Sequence, residues 1–252
     1  MMMLRLLRVG LHLCVGLWTC AVVFPWVAAK GREKRIQRWS LQLISICGVS
    51  VETQFDPSAK SDLQPAPKAL IVANHVSWLD IFVINSIRPC RFVAKSDIRD
   101  WPVLGWLCEK AGTIFIARGS IRDVRRIFAG MVKSIHEGEH VAFFPEGTTA
   151  KQGDVLPFHA NLFEAAIDAE VPVQPYAIRY IDAQGNLHEA ADFVGDMSFI
   201  DSMIAIARAR RMIAQLVMLP TIDTVGESRR ALAVTARQSI ATALDKSLRA
   251  TY

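Results

Sequence analysis

The sequence predicts an α/β fold: a mixed, largely parallel central sheet flanked by helices, preceded by an N-terminal membrane helix and an amphipathic interfacial helix. Three observations point to it. Short apolar runs of strand length recur, among them ALIVA at 69–73, TIFIA at 113–117 and HVAFF at 140–144. Stretches of helical length separate them, and such alternation buries a sheet between helical faces. Ahead of them, Val9–Ala29 carries no acid, Lys or Arg and is long enough to cross a hydrocarbon core.

The N-terminal elements come first. Residues 1–40 hold seven basic side chains against the single acid Glu33, so they carry +6 of the chain's net +5 and the remainder carries −1. The basic excess is a collar around the apolar segment. A nucleic-acid binder more often carries it on the folded body, so nucleic acid is not an expected partner. A collar beside anionic headgroups suits a membrane protein. Val9–Ala29 reads as a retained anchor, with a cleaved signal peptide and a helix lying in one leaflet as alternatives. Pro25 would kink or end it. More Lys and Arg follow the segment than precede it, which places the body on the cytoplasmic side of the inner membrane. In 30–48, Ile36, Trp39, Leu43 and Ile46 recur at near-helical spacing. That pattern fits a helix on the membrane surface or one packed on the body.

The boundary between anchor and catalytic body is set at 50/51, giving units 1–50 and 51–252. Residues 56–67 (DPSAKSDLQPAP) read as a linker or surface loop. Strands are then expected at 69–73, 91–94, 113–117, 140–144, 173–180 and near 213–219. Helices are expected at 78–87, 103–111, 121–137, 161–169, 199–210 and 227–248. A turn at 182–186 (DAQGN) should lead to a short strand. The five cysteines form no CxxC pair and fit no zinc spacing, so no metal site is expected.

Three strand ends carry chemistry. Asn74-His75-Val76-Ser77-Trp78-Leu79-Asp80 follows ALIVA. The strand delivers His75 to the carboxyl edge of a sheet, where open α/β folds bind ligands. Ser77 can cap the following helix. Asp80, one turn in, can reach back to the imidazole, fix its tautomer and raise its basicity. The second is Phe143-Phe144-Pro145-Glu146-Gly147-Thr148-Thr149. There Glu146 is either a ligand group or an ordinary turn acid. The third is Gly112–Gly119 (GTIFIARG), ending in Arg118, either a phosphate fork beside a helix start or a surface arginine. No GxSxG, HExxH or GxxxxGK[ST] occurs. A base without a protein nucleophile suggests that a substrate hydroxyl attacks directly.

NHVSWLD, GTIFIAR, FPEGTT and VPVQP, in that order from about Ala69 to Ile178, resemble the four blocks of the glycerolipid acyltransferase family. The resemblance makes 51–252 an acyltransferase domain. It implies acyl transfer from an acyl-CoA or acyl-carrier-protein thioester to a lysolipid hydroxyl, with no cofactor. It implies His75 as general base and Asp80 as its partner. Arg118 would bind the acceptor's phosphate, while Glu146, Gly147 and Thr148 shape the acceptor site and Lys95 lies near the polar head. Val171, Pro172 and Pro175 would wall the acyl donor. One departure stands out: the family commonly reads FPEGTRS, and here the arginine position is Thr149. The expected acceptor is 1-acyl-glycerol-3-phosphate, with lyso-ornithine lipid as the alternative. A lipid-binding protein without catalysis and a hydrolase are rivals from other classes.

Overall fold

The structure, a computed structural model, describes residues 2–56, 66, 68–101, 103–116 and 121–249; the side chains of 121–126 and 246–249 are outside that description. Its centre is a seven-stranded sheet of order β1-β7-β6-β2-β5-β3-β4. The strands are β1 (Val49–Phe55), β2 (Leu70–Ala73), β3 (Arg91–Lys95), β4 (Ile114–Ile116), β5 (Val141–Phe143), β6 (Val173–Ile181) and β7 (Met212–Met218). β6, β2, β5, β3 and β4 run parallel. β7 is antiparallel to β6, and β1 follows β7. The sheet is therefore mixed and mostly parallel, as the alternation predicts. β2 is buried on both faces, which is why it reads as an unbroken apolar run rather than an alternating one.

Helices cover both faces. One core holds Leu43 and Ile44 of α2 (Ala29–Ile46), Leu79 and Val83 of α3 (Leu79–Ile87), Ile206 of α7 (Phe199–Arg208), and the inward Tyr176, Ile178 and Tyr180 of β6. The other holds Met131 and Ile135 of α5 (Ile121–His136), Ala165 and Ala166 of α6 (Glu164–Asp168), and Leu232 and Ala236 of α8 (Arg229–Arg249). A seven-residue helix, α4 (Leu104–Lys110), follows β3.

The structure adds one strand and reduces another to a bridge. β1 was not foreseen. Its alternation is present (Val49, Val51, Thr53, Phe55), but its other positions are polar and it sits at the sheet's edge. The 50/51 boundary falls inside it. The strand expected after 182–186 is a single bridge, Ile181↔Leu187. The turn closes through Asp182 N–H to Asn186 O, and the chain then enters a short helical turn at Glu189–Ala191.

The N-terminal helix α1 (Met2–Trp18) continues through a π turn and a 3-10 turn to Trp26. Pro25 lies in that last turn, and Val27 turns extended and ends the helix. Met2–Trp26 is long and apolar enough to cross a membrane, by length and composition. One side of it is buried: Val9, His12, Gly16, Cys20 and Phe24. Gly16 is there because the Trp39 ring lies where a Cβ would be, with Nε1 2.9 Å away. His12 and Trp39 stack, and each bonds the other's carbonyl. Arg5 bonds the Ala209 carbonyl just past α7 at 2.8 Å. On the opposite side, Leu4, Leu7, Leu11, Val15, Trp18 and Val22 form an exposed apolar stripe at helical spacing.

Candidate active site

The site begins where β2 ends. Asn74 locks the chain there, donating from Nδ2 to Ile178 O at 2.9 Å and accepting from Ile178 N–H at 2.8 Å. This clasp fixes β2 against β6 beyond their ladder and sets the direction in which the next residue leaves. His75 follows at the carboxyl edge. Its Nδ1 lies 2.8 Å from Asp80 Oδ2; an ionised carboxylate only accepts, so Nδ1 carries the proton and Nε2 presents its lone pair. The imidazole stacks on Phe144 with centroids 3.9 Å apart, and its side chain is 18% exposed, enough for one edge to meet a substrate.

Asp80 is completely buried. Its Oδ2 also accepts the N–H groups of Val76 and Ser77 at 2.7 and 2.9 Å, and its Oδ1 accepts the Tyr180 hydroxyl at 2.7 Å. Four donors therefore hold one carboxylate. Ser77 does not cap α3: the helix start has no side-chain cap, and Asp80 instead ties down the two amides ahead of it. The Ser77 hydroxyl is buried without a partner among the described residues. The Val76 and Ser77 amides are spent on Asp80, so those two are not available as oxyanion donors.

Glu146 is 4% exposed. Its Oε1 accepts His75 N–H at 2.7 Å and its Oε2 accepts Leu156 N–H at 2.8 Å. Burial pushes its carboxyl above the usual range, while these two bonds pull the other way. Both oxygens point into the protein, so Glu146 straps the His75 backbone to the 155–156 loop. Ala150 N–H to His75 O at 2.7 Å completes the grip. Arg237 of α8 donates to the Val155 and Leu156 carbonyls and braces that loop from behind. Gly147 is exposed at φ +69°, a left-handed conformation suited to glycine, and a Cβ there would meet the His159 ring at 3.2 Å. Thr148 is exposed beside it. The Thr149 hydroxyl turns inward and donates to Phe193 O.

Lys95 ends β3 and is exposed. It pairs with Ile116 of β4. Arg118 lies outside the described residues. The structure does not bring Val171, Pro172 and Pro175 to His75. Leu70 pairs with Val173, so Val171 and Pro172 precede the start of β2, at the end of the sheet opposite His75. Val171 packs with the α5 and α8 core, and Pro175 is buried within the ladder.

Sequence reasoning missed Tyr180 and Gln152. Gln152 Oε1 accepts Tyr180 N–H at 2.7 Å and its Nε2 donates to His188 O. The available signals were faint: a tyrosine among aliphatic residues on a buried strand, and a glutamine in a loop.

A mostly parallel sheet with this edge histidine and these ordered blocks defines the class as an acyltransferase. A family model described as Acyltransferase matches residues 55–179. The chain is 36% identical over 212 residues to a lyso-ornithine lipid O-acyltransferase of Pseudomonas aeruginosa, covering 84% of this chain and 79% of that one. It is 45% identical over 126 residues to a 1-acyl-sn-glycerol-3-phosphate acyltransferase of Neisseria gonorrhoeae, a match spanning 48% of this chain and 49% of that relative. The crystal structure of a 1-acyl-sn-glycerophosphate acyltransferase from Thermotoga maritima superposes with a TM-score of 0.65 at 20% identity, covering 100% of this chain and 99% of that one, so the fold is shared. The chain belongs to the acyltransferase family.

Proposed function

We propose that this acyltransferase moves a fatty acyl group from an acyl-CoA or acyl-carrier-protein thioester onto the free hydroxyl of 1-acyl-glycerol-3-phosphate, giving phosphatidate. The observation that carries the chemistry is the His75 imidazole held by Asp80 with its Nε2 edge outward. Nε2 takes the proton of the acceptor hydroxyl as that oxygen attacks the thioester carbonyl. Asp80 stabilises the imidazolium that forms. The carbonyl re-forms, the C–S bond breaks, and the imidazolium returns its proton to the departing thiolate. No protein nucleophile enters. Glu146 and Gly147 act by holding His75 and shaping the turn. Lys95 and Lys151 are exposed cations that a phosphate headgroup could meet, and Arg118 is the residue the family resemblance assigns to it.

The apolar stripe of α1 and the basic collar support attachment to the inner membrane, with the body on the cytoplasmic side. This keeps the site where a lysolipid already resides.

A second reading is O-acylation of lyso-ornithine lipid. Two observations favour it. The relative with that name matches over most of both chains. Thr149 turns to Phe193 and leaves that position of the loop without a cation. The experiment offers lysophosphatidate and lyso-ornithine lipid in parallel, with one labelled acyl thioester, to the membrane-reconstituted protein. Preference for lysophosphatidate is expected. Preference for lyso-ornithine lipid replaces the first reading with the second.

A further inference from the structure

Asp80 is held unevenly. Oδ2 carries three donors: His75 Nδ1–H and the amides of Val76 and Ser77. Oδ1 carries one, the Tyr180 hydroxyl at 2.7 Å. The imidazole and two local amides hold Oδ2, and the Tyr180 bond holds the other oxygen, so both ends of the carboxylate are fixed with Oδ2 facing the imidazole. Tyr180 comes from β6, 100 residues from Asp80 in sequence. It lies just beyond the segment the family model matches.

Tyr180 is itself held. It is completely buried, opposite Ala214 of β7. Its N–H is bound by Gln152, and the Asn74 clasp fixes Ile178 two residues before it. Burial and the adjacent carboxylate push its hydroxyl well above the ordinary phenol range, so it is a fixed donor. The titratable groups facing this cluster are Asp80 from α3, His75 after β2, Glu146 after β5 and Cys47 at the end of α2; β7 contributes none of those named.

We propose that Tyr180 is a positioning residue that sets both the orientation of Asp80 and the strength of His75 as a base. The proposal rests on the His75 mechanism above. A hydroxyl donated to Oδ1 draws charge from the carboxylate. Remove it, and the carboxylate attracts the imidazolium more strongly, so the base stays protonated to higher pH.

The test is the pH profile of kcat/KM for wild type, Tyr180→Phe and Tyr176→Phe. Tyr176 is equally buried on the same strand face, and its hydroxyl makes no bond to Asp80. Tyr180→Phe should move the acid limb up by about 0.5–1 pH unit. It should lower kcat roughly tenfold, with the KM for lysolipid unchanged. Tyr176→Phe should leave the limb in place. Meta-fluorotyrosine at position 180, a stronger donor that retains the bond, should move the limb down, which keeps the test open should Tyr180→Phe fold poorly. An unmoved limb in Tyr180→Phe, with or without a fall in kcat, overturns the proposal, as does an unmoved limb with fluorotyrosine. His75→Ala run alongside separates the two readings: turnover surviving in that variant defeats the mechanism rather than the role of Tyr180.

Discussion

Asp80→Asn isolates charge from shape. The asparagine carbonyl oxygen can take the Oδ2 position and keep accepting from His75, Val76 and Ser77. Its amide then faces Tyr180, whose hydroxyl can rotate to accept. The fold is retained, and what disappears is the negative charge beside the imidazolium. At the observed 2.8 Å contact and an effective dielectric of about 20, that charge contributes about 6 kcal/mol. Charge spread over the ring and the carboxylate makes about 4 Å the fairer separation, and the figure falls to about 4 kcal/mol. Such a loss corresponds to roughly a thousandfold in kcat/KM. The assay is acyl transfer in reconstituted membranes, normalised to folded protein by circular dichroism. A loss below about tenfold in a folded variant would refute the idea that Asp80 stabilises a charged His75 in the transition state.

Other substitutions test the supports. Glu146→Ala orphans the N–H groups of His75 and Leu156. It should cost on the order of 2–4 kcal/mol in urea unfolding, less than two full buried bonds because the cost of burying a carboxylate also vanishes. Activity should fall with it; an unchanged unfolding midpoint would contradict the strap. His140, half-buried near Arg88, has its imidazole pushed down to about 4 from 6.5, first by burial and then by that guanidinium. The unfolded chain then binds the proton more readily, so His140's contribution to stability is complete above pH 6.5 and is lost as pH falls toward about 4. His140→Asn should flatten the stability profile across that window, and superimposable profiles would contradict it.

The parallel core of the sheet was legible because strands buried on both faces read as apolar runs with little polar interruption: Leu70–Ala73 and Val141–Phe143. Edge strand β1 was not, because only one alternate set of its residues is apolar. In the site, His75 and Asp80 were legible because both lie in one short segment, where sequence spacing controls geometry. Glu146 was found, but its direction was not: whether a carboxylate at a strand end points out to a ligand or back to an amide depends on the 155–156 loop, ten residues away. Tyr180 reaches Asp80 across the sheet, and only the register of β6 against β2 puts it there. The positions of Val171 and Pro172 were not legible for a related reason: they precede a strand parallel to β2, so they lie toward the other end of the sheet from residues that follow β2, while Pro175 pairs with Val72 inside the ladder.

The central claim is that His75 takes the proton of a lysolipid hydroxyl during direct acyl transfer. The most direct test is transfer of labelled acyl groups to lysophosphatidate by wild type and by His75→Ala, both reconstituted in membranes and matched in circular dichroism. The account predicts transfer by the wild type and a loss of at least about a thousandfold in the variant. Comparable transfer by the two proteins would contradict it.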